Sequence, residues 1–382
     1  MNRCWVEISL PRLRANLEAV REYLGSPQLA VGSWQFPNPE SGIRHQASGL
    51  DPQPPAPSRQ PPSIIAVVKA NGYGHGLVGT ARCLFESGVR DFAVSWADDA
   101  VALRQALTGG RILVLGGISP GQEEAFREHR LRAVVFDDRP VPPDVQVELK
   151  IDTGMSRLGV PLQESRGWID KFGARLAGVF SHFGSADCDP EFTRLQTERF
   201  LEATAEVGCR RHLCNSAGLA YPEAWLDAVR VGLVLYGVPP CSRLKGLPLQ
   251  PVLSWKTRIL AINQVRAGRR SGYGGSWTAR RPSRLGILPV GYADSYSRLH
   301  SKRGQVEVRR RLAPVAGAVS MDLTTIDLTD IPEARPGDEA VLLSSDSASP
   351  LSAASLARRM GTIPYEVLTA IPEQLKRVFV EG

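Results

Sequence analysis

The sequence predicts an α/β fold with an added β part: a TIM-type (β/α)8 barrel followed by a second, mainly β-strand C-terminal domain. Three observations carry this. Eight short apolar, β-branched runs lie between residues 64 and 234, with helical stretches between them, the texture of parallel strands buried on both faces. Beyond residue 240 the runs stay strand-like, but most of the intervening helices disappear. Finally, 382 residues exceed the roughly 250–300 that one core supports and leave room for a domain beyond a barrel of roughly 250 residues.

Taken in order, residues 1–10 are assigned to a strand that joins the second domain. The barrel is assigned to 11–240. Residues 11–24, PRLRANLEAVREYL, place Leu13, Leu17, Val20 and Leu24 at helical spacing, and Pro11 sits near the start, where its missing N–H does no harm. From Ser26 to Pro62 the texture changes. Nine prolines with Gly, Ser and Gln between them leave no periodicity, which predicts a flexible insertion or long surface loop over 26–62.

The barrel runs follow: IIAVVK (64–69), DFAVS (91–95), ILVLGG (112–117), RAVVF (132–136), VQVELKID (145–152), LAGVFSHF (176–183), RHLCN (211–215) and AVRVGLV (228–234). A doubly wound open sheet is the alternative, but no G-x-G-x-x-G follows the first run. Pro239, Pro240 and the stretch to Pro251 form a break. LSWKTRILAI, RLGILPVGYA, QVEVRRR, APVAGAVSM, LTTIDL and DEAVLLS then predict a β-rich domain over 241–382.

Composition excludes several function classes. Hydrophobic residues at 43% and charged residues at 22% describe an ordinary globular chain. No apolar run approaches the ~20 residues that span a bilayer, and Glu7 interrupts the N-terminal stretch where a signal peptide needs an apolar core. Six scattered cysteines do not make a disulfide framework. A soluble cytoplasmic protein is the expectation. The net charge of +7 comes from 46 Lys+Arg against 39 Asp+Glu. The basic clusters (Arg269-Arg270, Arg280-Arg281, Arg309 to Arg311) are short, far apart and free of interleaved aromatics, so nucleic acid is not an expected partner. Cys209 and Cys214 bracket His212, but the spacing fits no usual zinc pattern, and no metal is expected.

Only seven of the 46 cations are lysines, which makes each worth inspecting. In a barrel, chemistry belongs at the C-terminal ends of strands. Lys69 closes the first run, in AVVKANGYGHG. A lysine there is partly desolvated, which lowers its pKa and favours Schiff-base chemistry. The whole stretch, with Tyr73 inside it, resembles the cofactor-lysine motif of the alanine racemases, a pyridoxal-phosphate (PLP) family.

The other strand ends keep the order of that family's motifs. Lys150-Ile151-Asp152-Thr153-Gly154-Met155-Ser156-Arg157-Leu158-Gly159 is similar to KxDTGMxRLG. The resemblance implies that Arg157 bonds the cofactor's phenolic oxygen and helps orient the substrate carboxylate, and that Lys150 matches a lysine carbamylated in some members. A structural Asp152–Arg157 ion pair is the bland alternative. His182, in Ser181-His182-Phe183, resembles the partner of a catalytic tyrosine. Asn215-Ser216-Ala217-Gly218 reads as a phosphate cradle of backbone N–H groups at a helix start. Arg230-Val231-Gly232, then Tyr236-Gly237, is similar to VRxGxxxYG, which implies Arg230 at the pyridine nitrogen and Gly232 at the phosphate.

The second domain supplies the rest by the same resemblance. Ser271-Gly272-Tyr273-Gly274-Gly275 makes Tyr273 the second base. GYADSYSR places Tyr292 and Arg298, with Asp187 from the barrel, along the substrate access path. Met321-Asp322 lines the substrate side, and Tyr365 in GTIPYE reaches the phosphate. Ala318 departs from the family pattern, where many members carry an arginine.

The resemblance therefore implies an alanine racemase that supplies D-alanine for peptidoglycan, with PLP on Lys69 and alanine as substrate. It also implies a homodimer that shares its active sites. Two bases on opposite faces, Lys69 and Tyr273, give access to both enantiomers. Tyrosine starts near a pKa of ~10 and needs help, for which His182 and Arg157 stand ready. A broader-specificity amino-acid racemase, acting on serine or other small amino acids, shares every motif. The fold-related decarboxylases need a second-domain cysteine that is absent after Cys241, and single-barrel PLP carriers lack both the second domain and Tyr273.

Overall fold

The computed structural model describes residues 3–26 and 61–381. The insertion expected at 26–62 lies, apart from its end residues, outside the described residues.

Eight parallel strands build the barrel in chain order: Ser63–Val67, Asp91–Val94, Arg111–Val114, Arg132–Val135, Val147–Asp152, Leu176–Phe180, Arg210–His212 and Ala228–Val231. The eighth pairs back on the first, Ala228 opposite Ser63. No ladder joins the seventh and eighth, but backbone bonds from Asp227 N to Arg211 O (3.1 Å) and from Arg230 N to Cys214 O (2.9 Å) bridge the gap. All eight sequence runs are strands. Seven of them stop one to three residues before the run does, because their C-terminal residues already belong to the loops of the catalytic face.

The outer ring is less regular than an alternating pattern implies. Helices follow several strands, among them Leu77–Glu86, Ala97–Ala106 and Pro190–Ala203. After the seventh strand there are only the short 3-10 turns Ala217–Ala220 and Pro222–Ala224, the second opening at Pro222. The helix Leu10–Gly25 stands in this weak quarter. Pro11 lies in its first turn and Leu13, Leu17, Val20 and Leu24 are buried, as their spacing predicts. Asn16 Nδ2 donates to Leu235 O (3.0 Å) and Gln250 O (2.9 Å), tying the helix to the segment after the eighth strand.

At the N-terminal end of the barrel, Asp91 accepts bonds from Arg111 Nε (2.5 Å) and Arg210 Nη1 (3.1 Å). This is the face where a barrel spends residues on stability rather than on chemistry.

The second domain has three sheets and two short helices, the smallest sheet being the two-stranded pairing of Arg270–Ser271 with Trp277–Thr278 on either side of Tyr273. Its six-stranded sheet runs Arg311–Pro314, Gln305–Val308, Glu339–Leu343, Leu253–Arg258, Cys4–Ser9, Lys376–Val380. The N-terminal strand pairs antiparallel with Leu253–Arg258 and parallel with Lys376–Val380. A smaller sheet holds Ala261–Val265, Ser283–Leu288 and Thr324–Asp327. Two sequence runs resolve differently from expectation. LSWKTRILAI divides near Ile259-Leu260 into strands of different sheets. APVAGAVSM contributes only its first two residues to a strand, because Gly317 (φ 99°) turns the chain away.

Candidate active site

The first barrel strand ends at Val67, and Lys69 begins a turn of the wrong hand. Ala70 (φ 51°, ψ 56°), Asn71 (52°, 47°) and Gly72 (60°, 44°) are left-handed, and Tyr73 follows at φ 52°. Each non-glycine residue in that region costs roughly 1–2 kcal/mol. The turn is held by backbone bonds Gly72 N to Val68 O (2.8 Å) and Gly74 N to Ala70 O (3.0 Å). Asn71 Oδ1 accepts from Leu77 N (2.8 Å), and His75 Nδ1 bonds the Tyr73 carbonyl (2.8 Å). The consequence is placement. Lys69 stays at the barrel mouth while Tyr73 turns back into the interior, where it is buried.

Tyr73 packs beside Tyr365, with ring centroids 6.0 Å apart, and beside Tyr236 at 5.1 Å. Gly232 faces its hydroxyl so closely that a β-carbon there would stand 2.5 Å from Oη. Gly232 N donates to Ser216 Oγ (2.9 Å), and Asn215 Oδ1 accepts from Gly218 N (2.8 Å). The loops after the seventh and eighth strands are thereby locked together. Phenolic and serine hydroxyls around a glycine backbone form a small pocket of neutral donors, which fits a phosphate group.

Arg230 lies inside the barrel with both of its Nη groups engaged. Nη1 donates to His212 Nδ1 (2.7 Å) and His212 O (3.0 Å), and Nη2 donates to Ser181 O (2.6 Å), Leu213 O (3.1 Å) and His182 Nδ1 (3.3 Å). Burial pulls this guanidinium down to about 10, so it remains a cation at neutral pH. A guanidinium offers only donors. His182 Nδ1 is therefore an acceptor, and its proton resides on Nε2. Burial, followed by the charges of Arg230, Lys150, Arg157 and Lys69, holds His182 neutral.

The two strand-end lysines share this cationic environment. Burial, then Arg157 and Arg230, lowers Lys69 below the ordinary lysine value. Lys150 is buried more completely and falls to about 8 for the same reasons. Arg157 is exposed at the mouth. The alternative Asp152–Arg157 ion pair is not formed: Asp152 Oδ1 instead accepts from Gly154 N (2.9 Å), Met155 N (2.9 Å) and Ser156 N (3.2 Å) of its own loop. Asp187 is exposed, and its charge helps raise Tyr365, whose pKa burial pushes to about 12.

The C-terminal face of the barrel thus carries Lys69, Tyr73, Lys150, Arg157, His182, Asn215, Ser216, Arg230 and Gly232, and Tyr365 of the second domain joins them beside Tyr73. The other second-domain residues form another group. Tyr273 is 76% exposed, Met321 56% and Tyr292 42%, and Asp322 and Arg298 are exposed as well. Tyr292 N donates to Ser320 O (3.1 Å), which ties the Tyr292 turn to the Met321 loop. Within one chain no bond or ring contact links Tyr273 to the barrel group. His212 and Glu148 belong to the barrel interior too, with His212 Nε2 2.8 Å from Glu148 Oε2. Sequence reasoning set His212 aside as a failed zinc ligand and passed over Glu148. The available signal was inward parity: Glu148, Lys150 and Asp152 alternate along one strand.

Comparison with known proteins completes the description. Residues 56–240 match the family model described as alanine racemase, N-terminal domain, and residues 252–379 that of the C-terminal domain. The chain is 36% identical to the alanine racemase of Syntrophobacter fumaroxidans, over 100% of this chain and 99% of that protein. It superposes on the biosynthetic alanine racemase of Pseudomonas aeruginosa with a TM-score of 0.80 at 30% identity, covering 100% of both chains. An alanine racemase of Bartonella henselae described with covalently bound pyridoxal phosphate shares the fold, at a TM-score of 0.81 and 24% identity over 100% of both chains.

Proposed function

The chain belongs to the alanine racemase family and interconverts L- and D-alanine, and we propose that it does so with two bases, Lys69 and Tyr273, around a PLP held in the barrel mouth. The family is PLP-dependent, and the fit of this chain's residues supports that group here. Lys69 supplies an amine of lowered pKa for attachment. Tyr73, Ser216, Gly232 and Tyr365 would take the phosphate, and Arg230 would face the pyridine nitrogen. When bound, the cofactor would draw electron density from the alanine Cα and so make its proton removable.

The remaining work falls to the protein. Lys69 Nζ takes or returns the Cα proton on one face, and the Tyr273 hydroxyl oxygen does so on the other. One turnover exchanges the protonation states of the two bases, and turnover in reverse or proton exchange with water restores them. His182, with its proton on Nε2, is a donor suited to a phenolate. Arg157 adds positive charge at the same mouth, and Arg157, Met321 and Asp322 bind the substrate. Tyr292, Arg298 and Asp187 line its access path. An arginine at the pyridine nitrogen cannot accept or share a proton there, which limits the cofactor's electron withdrawal and guards against side reactions.

Tyr273 is exposed in the single chain, and among the described residues no bond or ring contact joins it to the barrel group. A homodimer in which each site borrows the partner's tyrosine accounts for that exposure. Among the described residues no helix is long and apolar enough to cross a membrane, and we place the enzyme in the cytoplasm, supplying D-alanine for peptidoglycan. Lys69 at the mouth of a barrel whose interior seats Tyr73 of the same motif against Gly232 and beside Tyr365 is the observation that carries the proposal. It is tested by assaying D-alanine formation from L-alanine and mapping borohydride-fixed PLP in the same sample. PLP fixed on a residue other than Lys69 would refute the assignment.

A further inference from the structure

The barrel interior holds two polar groups behind Arg230, His212 and Glu148, that the proposed reaction does not use. His212 bonds Arg230 through Nδ1 (2.7 Å) and Glu148 through Nε2 (2.8 Å). Because Arg230 can only donate, His212 Nδ1 accepts, and the ring's proton sits on Nε2, donated to the Glu148 carboxylate. A second proton on the ring would have to point at the guanidinium, so His212 is neutral. Its burial acts the same way, pulling it to about 4.

All three groups are interior: Glu148 is 2% exposed, His212 0% and Arg230 4%. Phe180 fixes their planes. Its ring stacks on His212 at 4.9 Å with 6° between the planes, and Arg230 lies over the same ring at 4.9 Å. Gly178 lies beside the carboxylate: a β-carbon there would stand 3.0 Å from Arg210 O and 3.4 Å from the Glu148 carboxyl carbon. The other Glu148 oxygen is 3.4 Å from Arg132. A carboxylate this deep costs several kcal/mol unless it is paired and hydrogen-bonded. An apolar layer is the usual filling of such a barrel. What the carboxylate achieves is visible in its partners: one proton position on His212, and countercharge for a buried guanidinium.

We infer that Glu148 is a positioning residue for racemisation: it holds His212 in the Nε2–H form, so that His212 presents Nδ1 to Arg230 and fixes the guanidinium that faces the cofactor ring. The inference rests on the functional reading above, and Glu148 itself touches neither cofactor nor substrate.

The test compares the cofactor-loaded wild type with Glu148→Gln, His212→Gln and the double variant. Glutamine at 148 keeps an acceptor for the Nε2 proton and removes the charge. Glu148→Gln is expected to lower kcat on the order of tenfold, the scale at which outer hydrogen-bond partners act, with KM unchanged. It should also move the midpoint of the pH-dependent change in cofactor absorbance downward, by on the order of one unit, because a negative charge balancing cationic groups has left a low-dielectric site. In the His212→Gln background the same substitution is expected to add little to the loss of kcat, while the charge-driven midpoint shift remains. Should Glu148→Gln melt too low to assay, Glu148→Asp keeps the charge but shortens the reach, and is expected to lower kcat without moving the midpoint. A Glu148→Gln enzyme with wild-type kcat and midpoint would overturn the inference. So would a full further loss of kcat from that substitution in the His212→Gln background. A wild type that does not racemise alanine would overturn the functional reading and this inference together, whereas an active enzyme indifferent to Glu148 overturns the inference alone.

Discussion

Gly232 and Tyr73 occupy a space too small for a β-carbon and a phenol together, since the added carbon would stand 2.5 Å from Oη. Tyr73 cannot swing aside easily, because Tyr236 and Tyr365 flank it. Gly232→Ala is therefore expected to displace the tyrosine from the phosphate pocket. Overpacking of this kind costs about 1–3 kcal/mol, which corresponds to roughly a tenfold or greater loss of cofactor affinity if it is felt there. Titrating the cofactor-free variant with PLP by absorbance measures it, and wild-type affinity would show that the pocket can relax.

The two exposed and buried halves of the site predict complementation. Lys69→Ala and Tyr273→Phe subunits are each expected to be nearly inactive. Mixed and allowed to exchange, they should regain activity from the one intact site in each mixed dimer. Mass spectrometry verifies the exchange. Verified mixed dimers with no recovered activity would mean that each chain completes its own site.

Lys150 predicts a pH dependence of stability in carbonate-free buffer. Its pKa in the folded protein is about 8, lowered by burial and then by Arg157 and Arg230, against an ordinary value of 10.5. Between those values the unfolded chain binds a proton that the folded chain does not, so this group's contribution improves as pH rises from 8 to 10.5. Below pH 8 its desolvated charge is a full cost, on the order of 3 kcal/mol. Lys150→Met should be stabilised relative to wild type at pH 7, and the gap should narrow by pH 10. Urea unfolding at the two pH values checks it, and a gap that stays constant would contradict the assigned burial cost.

At the opposite end of the barrel, Asp91→Ala should behave differently. It strands Arg210, whose side chain is mostly buried, and is expected to cost on the order of 3 kcal/mol while kcat stays within about twofold of wild type, since chemistry lives on the other face. A large fall in kcat without loss of stability would contradict this division of labour.

Most of this architecture was legible in the sequence because the barrel strands are fully buried and therefore read as uninterrupted apolar runs. AVRV and RILV needed no partner to be recognised. The limits of legibility are equally physical. APVAGAVSM has strand-like composition, but a glycine in the left-handed region bends it into a loop, and composition is blind to that. Tyr273 is assigned by motif alone; burial, a usual mark of a functional side chain, is missing from it in a single chain. The pairing of Glu148 with His212 is illegible in sequence for the opposite reason. Its significance lies in a hydrogen-bonded line running across three strands, and residues 64 positions apart announce nothing to each other in a one-dimensional reading.

The turn at residues 70–73 has a stereochemical consequence. Its dihedral angles are strained for Ala70 only because that residue is of the L series. For the mirror-image residue they would be the relaxed ones. A semisynthetic enzyme carrying D-alanine at position 70 should thus hold its cofactor loop at lower conformational cost than the ribosomal product. The loop beside Lys69 is built in a handedness that the reaction's own product would favour.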